Sequence, residues 1–83
     1  MPVVALVDGV KIAFYANEHP PPHSHAMIAE HRALVDIESL TIAAGRLPAA
    51  KRRAVLFWAA SRKTVLLERF AAASAHEKVD PIE

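Results

Sequence analysis

The first half of the chain alternates short apolar runs with turn-forming residues, a pattern typical of an antiparallel sheet. Val3–Val7 is an apolar, β-branched run that ends at Asp8 and Gly9. An Asp-Gly pair between two such runs predicts a two-residue hairpin, because both positions tolerate a positive φ. Residues 10–15 then alternate as a half-buried strand does. One side would carry Val10, Ile12 and Phe14, and the other Lys11, Ala13 and Tyr15.

Further strands are expected after a proline-rich segment that interrupts regular pairing. Residues 23–30 and 33–38 can both be extended, with a turn between them at residues 30–32. Residues 40–42 could add a short edge strand. The sequence therefore predicts an antiparallel meander of roughly three to five short strands.

The second half of the chain has the composition and spacing of a helix. Leu47-Pro48 fits a helix start, since proline is favoured in the first turn. Residues 49–75 are rich in the strong helix formers Ala, Leu, Lys, Arg and Glu. Apolar residues recur along one stripe at helical spacing, namely Val55, Trp58, Ala59, Leu66 and Phe70. We predict one long C-terminal helix, which the polar segment at residues 61–64 could kink or split.

The predicted class is α+β, an antiparallel β-meander covered by a long C-terminal helix. The chain has 83 residues, so we expect a single small domain over residues 1–83, with a tail that frays from about residue 77. Residues 1–4 lack the basic start and the apolar region of a signal peptide. The longest apolar run, residues 54–60, is too short to cross a bilayer. We therefore expect a cytoplasmic protein that does not contact the membrane.

Composition and charge exclude several classes of protein. The chain is 53% hydrophobic and 23% charged, which is typical of a globular domain. It contains no cysteine, so disulfides, thiolate zinc fingers and cysteine nucleophiles are excluded. The net charge of +1 is too small to indicate nucleic-acid binding by itself.

The most unusual segment is residues 16–26, ANEHPPPHSHA, which holds three of the five histidines around three consecutive prolines. Histidine titrates near neutral pH and is the commonest metal ligand. In an extended chain His23 and His25 point to the same face, ~6.5–7 Å apart along the strand. Their imidazoles could therefore converge on one ion or one phosphate. A polyproline II conformation would hold His19 ~12 Å from His23 unless a bend or a cis-proline intervenes.

Three interpretations of this segment stay open at the level of sequence. His23 and His25 could simply hydrogen-bond to the backbone at the start of a strand. They could instead act as the acid and base of phosphodiester cleavage. The cations that could then stabilise the transition state are Lys11, Arg32 and Arg46. Finally, they could bind a divalent metal ion together with a carboxylate, for which the candidates are Glu18, Glu30, Asp36 and Glu38.

Glu30 is the carboxylate with a recognisable spacing. The pattern His23-x-His25-x4-Glu30 loosely resembles the first metal motif of the cupin barrels. Strand alternation nevertheless places Glu30 opposite His25 unless a bulge intervenes, and a chain of this length cannot build the full double Greek key. On the strength of this spacing, the metal hypothesis uses His23, His25 and Glu30 as ligands, with zinc, nickel or iron as the ion.

The same segment resembles the signature of a known family. The pattern Tyr15-x-Asn17-Glu18-His19-x-Pro21-Pro22-His23-x-His25-Ala26 is similar to that of small bacterial proteins grouped as domain of unknown function 4160. The resemblance extends to Gly45-Arg46-Leu47-Pro48, a turn before the helix, and to Trp58 within it. The chain departs from the family pattern at Ser24, where a bulky residue is usual, and at Phe70, where a second tryptophan is common.

The resemblance implies a place in a two-gene module. Such proteins are often encoded beside a second small protein, and a toxin–antitoxin arrangement has been suggested on those grounds. It singles out five positions as candidate catalytic residues: Tyr15, Glu18, His19, His23 and His25. We therefore expect a toxin-like protein with a small antitoxin-like partner, which could cleave RNA without a resident cofactor.

Two other functions stay open beside the toxin hypothesis. One is the small metal-binding protein described above. The other is a non-enzymatic interaction module, because Leu56, Phe57 and Leu67 widen the apolar stripe of the helix beyond what a solvated helix carries. Such a face could dock a partner or form a homo-oligomer. Whether the protein is an enzyme is not decided by its sequence.

Overall fold

The computed structural model describes residues 3–82, so Met1, Pro2 and Glu83 of the predicted domain lie outside the described residues. Within that range the chain forms five strands and two helices. The strands are β1 (Val3–Val7), β2 (Val10–Ala13), β3 (His23–Ile28), β4 (His31–Asp36) and β5 (Thr41–Gly45), and the helices are α1 (Ala49–Ala60) and α2 (Lys63–Ser74). Each strand pairs antiparallel with the next. The predicted α+β class and antiparallel meander are confirmed.

The β1–β2 turn has the residue types that such turns favour, whereas the β3–β4 turn does not. Asp8 and Gly9 form the predicted two-residue hairpin, with φ values of 49° and 84°. The turn between β3 and β4 lies at Ala29 and Glu30, slightly earlier than predicted. Ala29 has a φ of 52°, which alanine rarely adopts, so residue type did not indicate a turn at this position.

One face of the sheet carries the core, and the alternation of apolar residues predicted which face this is. Six side chains on this face are at most 1% exposed: Val10, Ile12, Phe14, Ala26, Val35 and Ile37. The helices complete the same cluster with Val55, Ala59, Leu66, Phe70 and Ala73. Two of the residues expected to widen the apolar helix face, Leu56 and Leu67, also pack against this core, whereas Phe57 is 84% exposed.

The prediction of one long C-terminal helix was wrong. α1 ends at Ala60 and α2 begins at Lys63, and Arg62 between them has a non-helical φ of −127° and ψ of 21°. The Arg62 guanidinium closes the end of α1, because it donates to the carbonyl of Trp58 at 3.0 Å and lies 5.1 Å from the indole ring centre. The carbonyl at this helix end therefore has a side-chain partner.

The division keeps the helical half within the dimensions of the molecule. A continuous helix over residues 49–75 would be about 40 Å long, whereas the longest extent of the molecule is 32 Å. Division lets both halves of one apolar stripe pack on a short sheet. Within residues 3–82, neither helix has the length and apolar content needed to span a membrane.

The chain returns to the sheet after α2. The N–H of Ile82 donates to the carbonyl of Val4 at 2.7 Å. Val79 and Ile82 also pack against the core. This is the segment in which we expected fraying, and these contacts join it to β1.

The close approach of β5 to β4 at Gly45 can be tested by adding a side chain there. Its φ is +74°, and a Cβ at this position would overlap the carbonyl oxygen of Arg32. That carbonyl already accepts the N–H of Arg46 at 3.0 Å. We expect Gly45→Ala to lower the free energy of unfolding by at least about 2 kcal/mol, since backbone strain alone costs ~1–3 kcal/mol. Urea unfolding measures the change.

Gly9→Ala is the matched control for this experiment. Gly9 also has a positive φ, +84°, but a Cβ there would meet only Ile28, at an ordinary 3.6 Å. We expect a loss of about 1 kcal/mol, at the low end of the ~1–3 kcal/mol that backbone strain alone costs. Equal losses in the two variants would show that the overlap with Arg32 does not limit stability.

Candidate functional site

Three side chains meet where the chain leaves β2 and enters β3. Glu18 lies in the connection, residues 14–22, whereas His23 and His25 lie on β3. Glu18 Oε1 is 2.6 Å from His25 Nε2, and Glu18 Oε2 is 3.4 Å from His23 Nε2. The two imidazole rings are 5.4 Å apart. We call these residues the Glu18–His23–His25 cluster.

The connection that carries Glu18 is held by the end of α2. Ser74 Oγ donates to the backbone carbonyl of Glu18 at 3.0 Å. His76 Nε2 donates to the Asn17 side-chain oxygen at 2.6 Å. Asn17 and His76 both have a left-handed backbone, with φ values of 65° and 61°. Sequence analysis assigned no role to Ser74 or His76, and no local pattern could have done so, because each contacts a residue from the other end of the chain.

The backbone orients His23. Its Nδ1 lies 2.8 Å from the carbonyl oxygen of Pro21. Because a carbonyl can only accept a hydrogen bond, Nδ1 carries the proton, and Nε2 is the atom that faces Glu18. A neutral His23 therefore turns a lone pair toward a carboxylate oxygen, which is unfavourable unless a proton or a cation lies between them.

The cluster is half-buried and its carboxyl group is ionised. The side chains of His23, His25 and Glu18 are 14%, 22% and 28% exposed. Burial raises the pKa of Glu18, but the hydrogen bond from His25 and the positive charges of His23 and His25 together lower it by more. The net effect holds the pKa of Glu18 below its ordinary value of 4.5. Glu18 is thus a carboxylate at neutral pH.

Tyr15 lies beside the cluster, whereas His19 does not join it. The Tyr15 ring packs edge-on against His25, with ring centres 4.2 Å apart. The Pro20–Pro21 peptide bond is cis, yet His19 is exposed. Among residues 3–82, Glu18 and the two β3 histidines are the only three such side chains close enough together that they could hold a metal ion.

Glu30, the carboxylate in the sequence-based metal hypothesis, lies at the opposite end of β3. It is exposed in the β3–β4 turn, and its Oε1 is 4.0 Å from His31 Nε2. Another candidate, Asp36, pairs with His23 across the sheet but accepts the backbone N–H of Ser39 at 2.9 Å. The structure therefore brings the two histidines to Glu18.

The geometry of the cluster is that of a candidate metal centre. One ligand atom from each of its residues lies within 4.8 Å of the others. Tetrahedral zinc, with bonds of ~2.0–2.2 Å, spaces its ligand atoms about 3.4 Å apart. Glu18 Oε2 and His23 Nε2 have this separation, 3.4 Å. The distance from Glu18 to His25 is 2.6 Å, so an ion would replace that hydrogen bond. The contact from His23 to Pro21 is of the kind that orients metal-binding imidazoles.

Fold and cluster together define a small α+β protein with a half-buried Glu–His–His site at one end of an antiparallel sheet. The family model described as Domain of unknown function (DUF4160) matches residues 9–71. Since the match covers most of the chain, the protein belongs to this family, as its histidine segment indicated. No curated protein and no solved structure matches the chain. The family description assigns no activity, so function follows from the site.

The lowered pKa of Glu18 predicts how the cluster affects stability. Because the pKa is lower in the folded protein than its ordinary 4.5, the carboxylate stabilises the fold above about pH 4.5. That contribution is lost as the pH falls through the folded-state pKa. Urea unfolding of metal-free protein should show a larger difference between wild type and Glu18→Gln at about pH 6 than at about pH 3.

Glu68→Gln is the control, since Glu68 is an exposed carboxylate of α2. The difference between wild type and this variant should stay nearly constant over the same pH range. A constant difference for Glu18→Gln as well would contradict the stabilising role of the Glu18 carboxylate.

Proposed function

We propose that the protein binds a divalent transition-metal ion through Glu18, His23 and His25. The observation that carries this proposal is the convergence of three ligand atoms within 4.8 Å on a half-buried surface. Zinc is the first candidate, and nickel and iron follow, because these ions accept mixed imidazole and carboxylate ligands.

The charges of the cluster support a cation at this position. Glu18 is ionised, and the Nε2 lone pair of a neutral His23 faces its carboxylate at 3.4 Å. A divalent ion between these atoms would replace their repulsion with two metal–ligand bonds. The ligands also have support before any ion binds, since Pro21 fixes one imidazole and Ser74 fixes the Glu18 backbone. Preorganised ligands lower the cost of binding.

The ligand count suggests the class of chemistry. Structural zinc sites are closed by four protein ligands, whereas catalytic sites have three and keep one position open. The cluster supplies three ligands, and its side chains are partly accessible to solvent. Metal-assisted hydrolysis is therefore the reaction class that suits it best.

The second candidate function is metal-independent RNA cleavage by a toxin-like protein. The observation that favours it is the 2.6 Å hydrogen bond between Glu18 and His25, because a carboxylate commonly orients a histidine that acts as general base. A protonated His23 would then be available as the acid. On this hypothesis the protein pairs with a small antitoxin-like partner. The net charge of +1 offers RNA little electrostatic attraction.

Calorimetric titration of untagged protein with zinc tests the metal proposal. We expect one ion per chain for wild type. Glu18→Gln, His23→Ala and His25→Ala should each weaken binding more than about a hundredfold, since even the loss of an outer hydrogen-bond partner costs ~10–100-fold.

Glu30→Gln and His31→Ala are the matched controls for the zinc titration. They change the same residue types in the exposed β3–β4 region, and they should bind zinc as wild type does. Zinc binding that survives Glu18→Gln but not Glu30→Gln would contradict the proposed ligand set.

Growth of a bacterial host under induced expression tests the toxin hypothesis. At matched protein levels, intact protein and His31→Ala should arrest growth, whereas the His23→Ala, His25→Ala double variant should not, because it lacks both the acid and the base. Normal growth with intact protein would count against a toxin in that host. Arrest by all three proteins would exclude the histidines as its cause.

A further inference from the structure

The sheet face that carries His25 also carries a row of cations. Lys11 of β2 pairs with Met27 of β3, and Met27 pairs with Arg32 of β4. Residues that pair directly across strands point to the same face, so the two cations flank Met27 on either side. Neighbouring strands are ~4.8 Å apart, which places the two basic residues about 10 Å from each other across the sheet.

Among the described residues, the only hydrogen-bond acceptor of the Tyr15 hydroxyl and the Arg32 guanidinium is a weak one. Tyr15 Oη lies 3.8 Å from Met27 Sδ, and Arg32 Nη1 lies 3.6 Å from the same sulfur. A thioether is a weak acceptor. Within residues 3–82, no carboxylate forms an ion pair with Arg32. A phenol and a guanidinium thus converge on one point where an anionic oxygen would be a better partner.

The surface around this point has room for a ligand. Two adjoining grooves, of about 210 and 360 Å³, share Tyr15, Met27 and Arg32. The first groove reaches His25, and the second reaches Lys11. Of the described residues that line them, none carries a carboxylate. An anion held here would therefore meet positive and neutral groups.

We propose that Tyr15 and Arg32, with Lys11 beside them, bind the phosphoryl group of a phosphate-ester substrate. This inference rests on the proposed metal-binding function and names the substrate class of the same site. His25 and Met27 are two residues apart on β3 and share a face, which places them ~6.5–7 Å apart. A substrate with its phosphoryl group over Met27 would thus extend along the groove that also reaches His25.

The directions of the donors favour phosphate over carboxylate. Lys11 lies on β2 and Arg32 on β4, on either side of Met27, and the Tyr15 hydroxyl and the Arg32 guanidinium both contact the Met27 sulfur. A phosphoryl group offers at least three acceptor oxygens in different directions, whereas a carboxylate offers two in one plane. Arginine also suits phosphate because its planar guanidinium can donate two parallel hydrogen bonds.

Titration of metal-free protein with sodium phosphate, followed by two-dimensional NMR at constant ionic strength, tests this subsite. We expect saturable shift changes at Tyr15, Met27 and Arg32. Arg32→Gln should weaken binding at least about tenfold, since it removes a charge-assisted hydrogen bond, and Tyr15→Phe at least about threefold. Arg52→Gln makes the same charge change on an exposed face of α1, so it should bind within about twofold of wild type.

Three results would overturn the proposal: no saturable phosphate binding, equal binding by wild type and Arg32→Gln, or acetate binding as tight as phosphate. Zinc titration of the same proteins separates this proposal from the metal site. Arg32→Gln should retain zinc affinity, and Glu18→Gln should retain phosphate binding. Zinc binding without phosphate binding would reject the subsite alone, and phosphate binding without zinc binding would reject only the metal function.

Discussion

The hydrogen bond from Ser74 to the carbonyl of Glu18 ties the carboxylate of the site to the helical half of the molecule. The connection between β2 and β3 contains three consecutive prolines, which lack backbone donors. The register of β3 and β4 begins at His23, and the Pro22 carbonyl accepts the N–H of Ile37 at 3.1 Å. Asn17 and Glu18 lie outside this pairing and have other partners. Ser74 and His76, at the end of α2, supply them. The sheet thus positions the imidazoles, and a helix positions the carboxylate that meets them.

The division of the helical half serves this arrangement. α1 is attached near the first hairpin, where Lys51 Nζ lies 3.2 Å from the Asp8 carboxylate. α2, as a separate helix, can end beside the proline-rich connection instead of continuing the direction of α1. Phe70 illustrates the result, since it belongs to the buried core and its ring centre also lies 5.4 Å from that of His23. The same helix, α2, therefore contributes to the core and contacts the site.

Local patterns in the sequence predicted the sheet well. The alternation of residues 10–15 identified the core face, and Asp8-Gly9 identified a hairpin by residue type alone. The shared face of His23 and His25 also followed from the strand period. The polar segment at residues 61–64 marked where the helix could break, and α1 and α2 do separate at residues 61–62. The sequence favoured one continuous helix, because neither Ser61 nor Arg62 is a strong helix breaker and the apolar stripe keeps its spacing on both sides.

The carboxylate of the cluster was harder to predict for a different reason. Glu30 has a regular spacing from the histidines along a strand, whereas Glu18 reaches them through a path that no period describes. That path depends on contacts between residues 56 and 59 positions apart in the chain. Such contacts arise from the tertiary fold, and single-sequence patterns report only local geometry.

The family match covers the candidate ligands of the site but not all of the residues that hold them in place. Residues 9–71 include Glu18, His23 and His25, but Ser74 and His76 lie beyond them. The matched range thus contains the three candidate ligands, but not the two side chains that contact the connection carrying Glu18. Two members could share every ligand and still differ in ion affinity, because the cost of ordering a loose connection is subtracted from the binding energy. In this protein, two residues beyond the match hold the connection that carries the carboxylate, whereas Pro21, which orients His23, lies within the match.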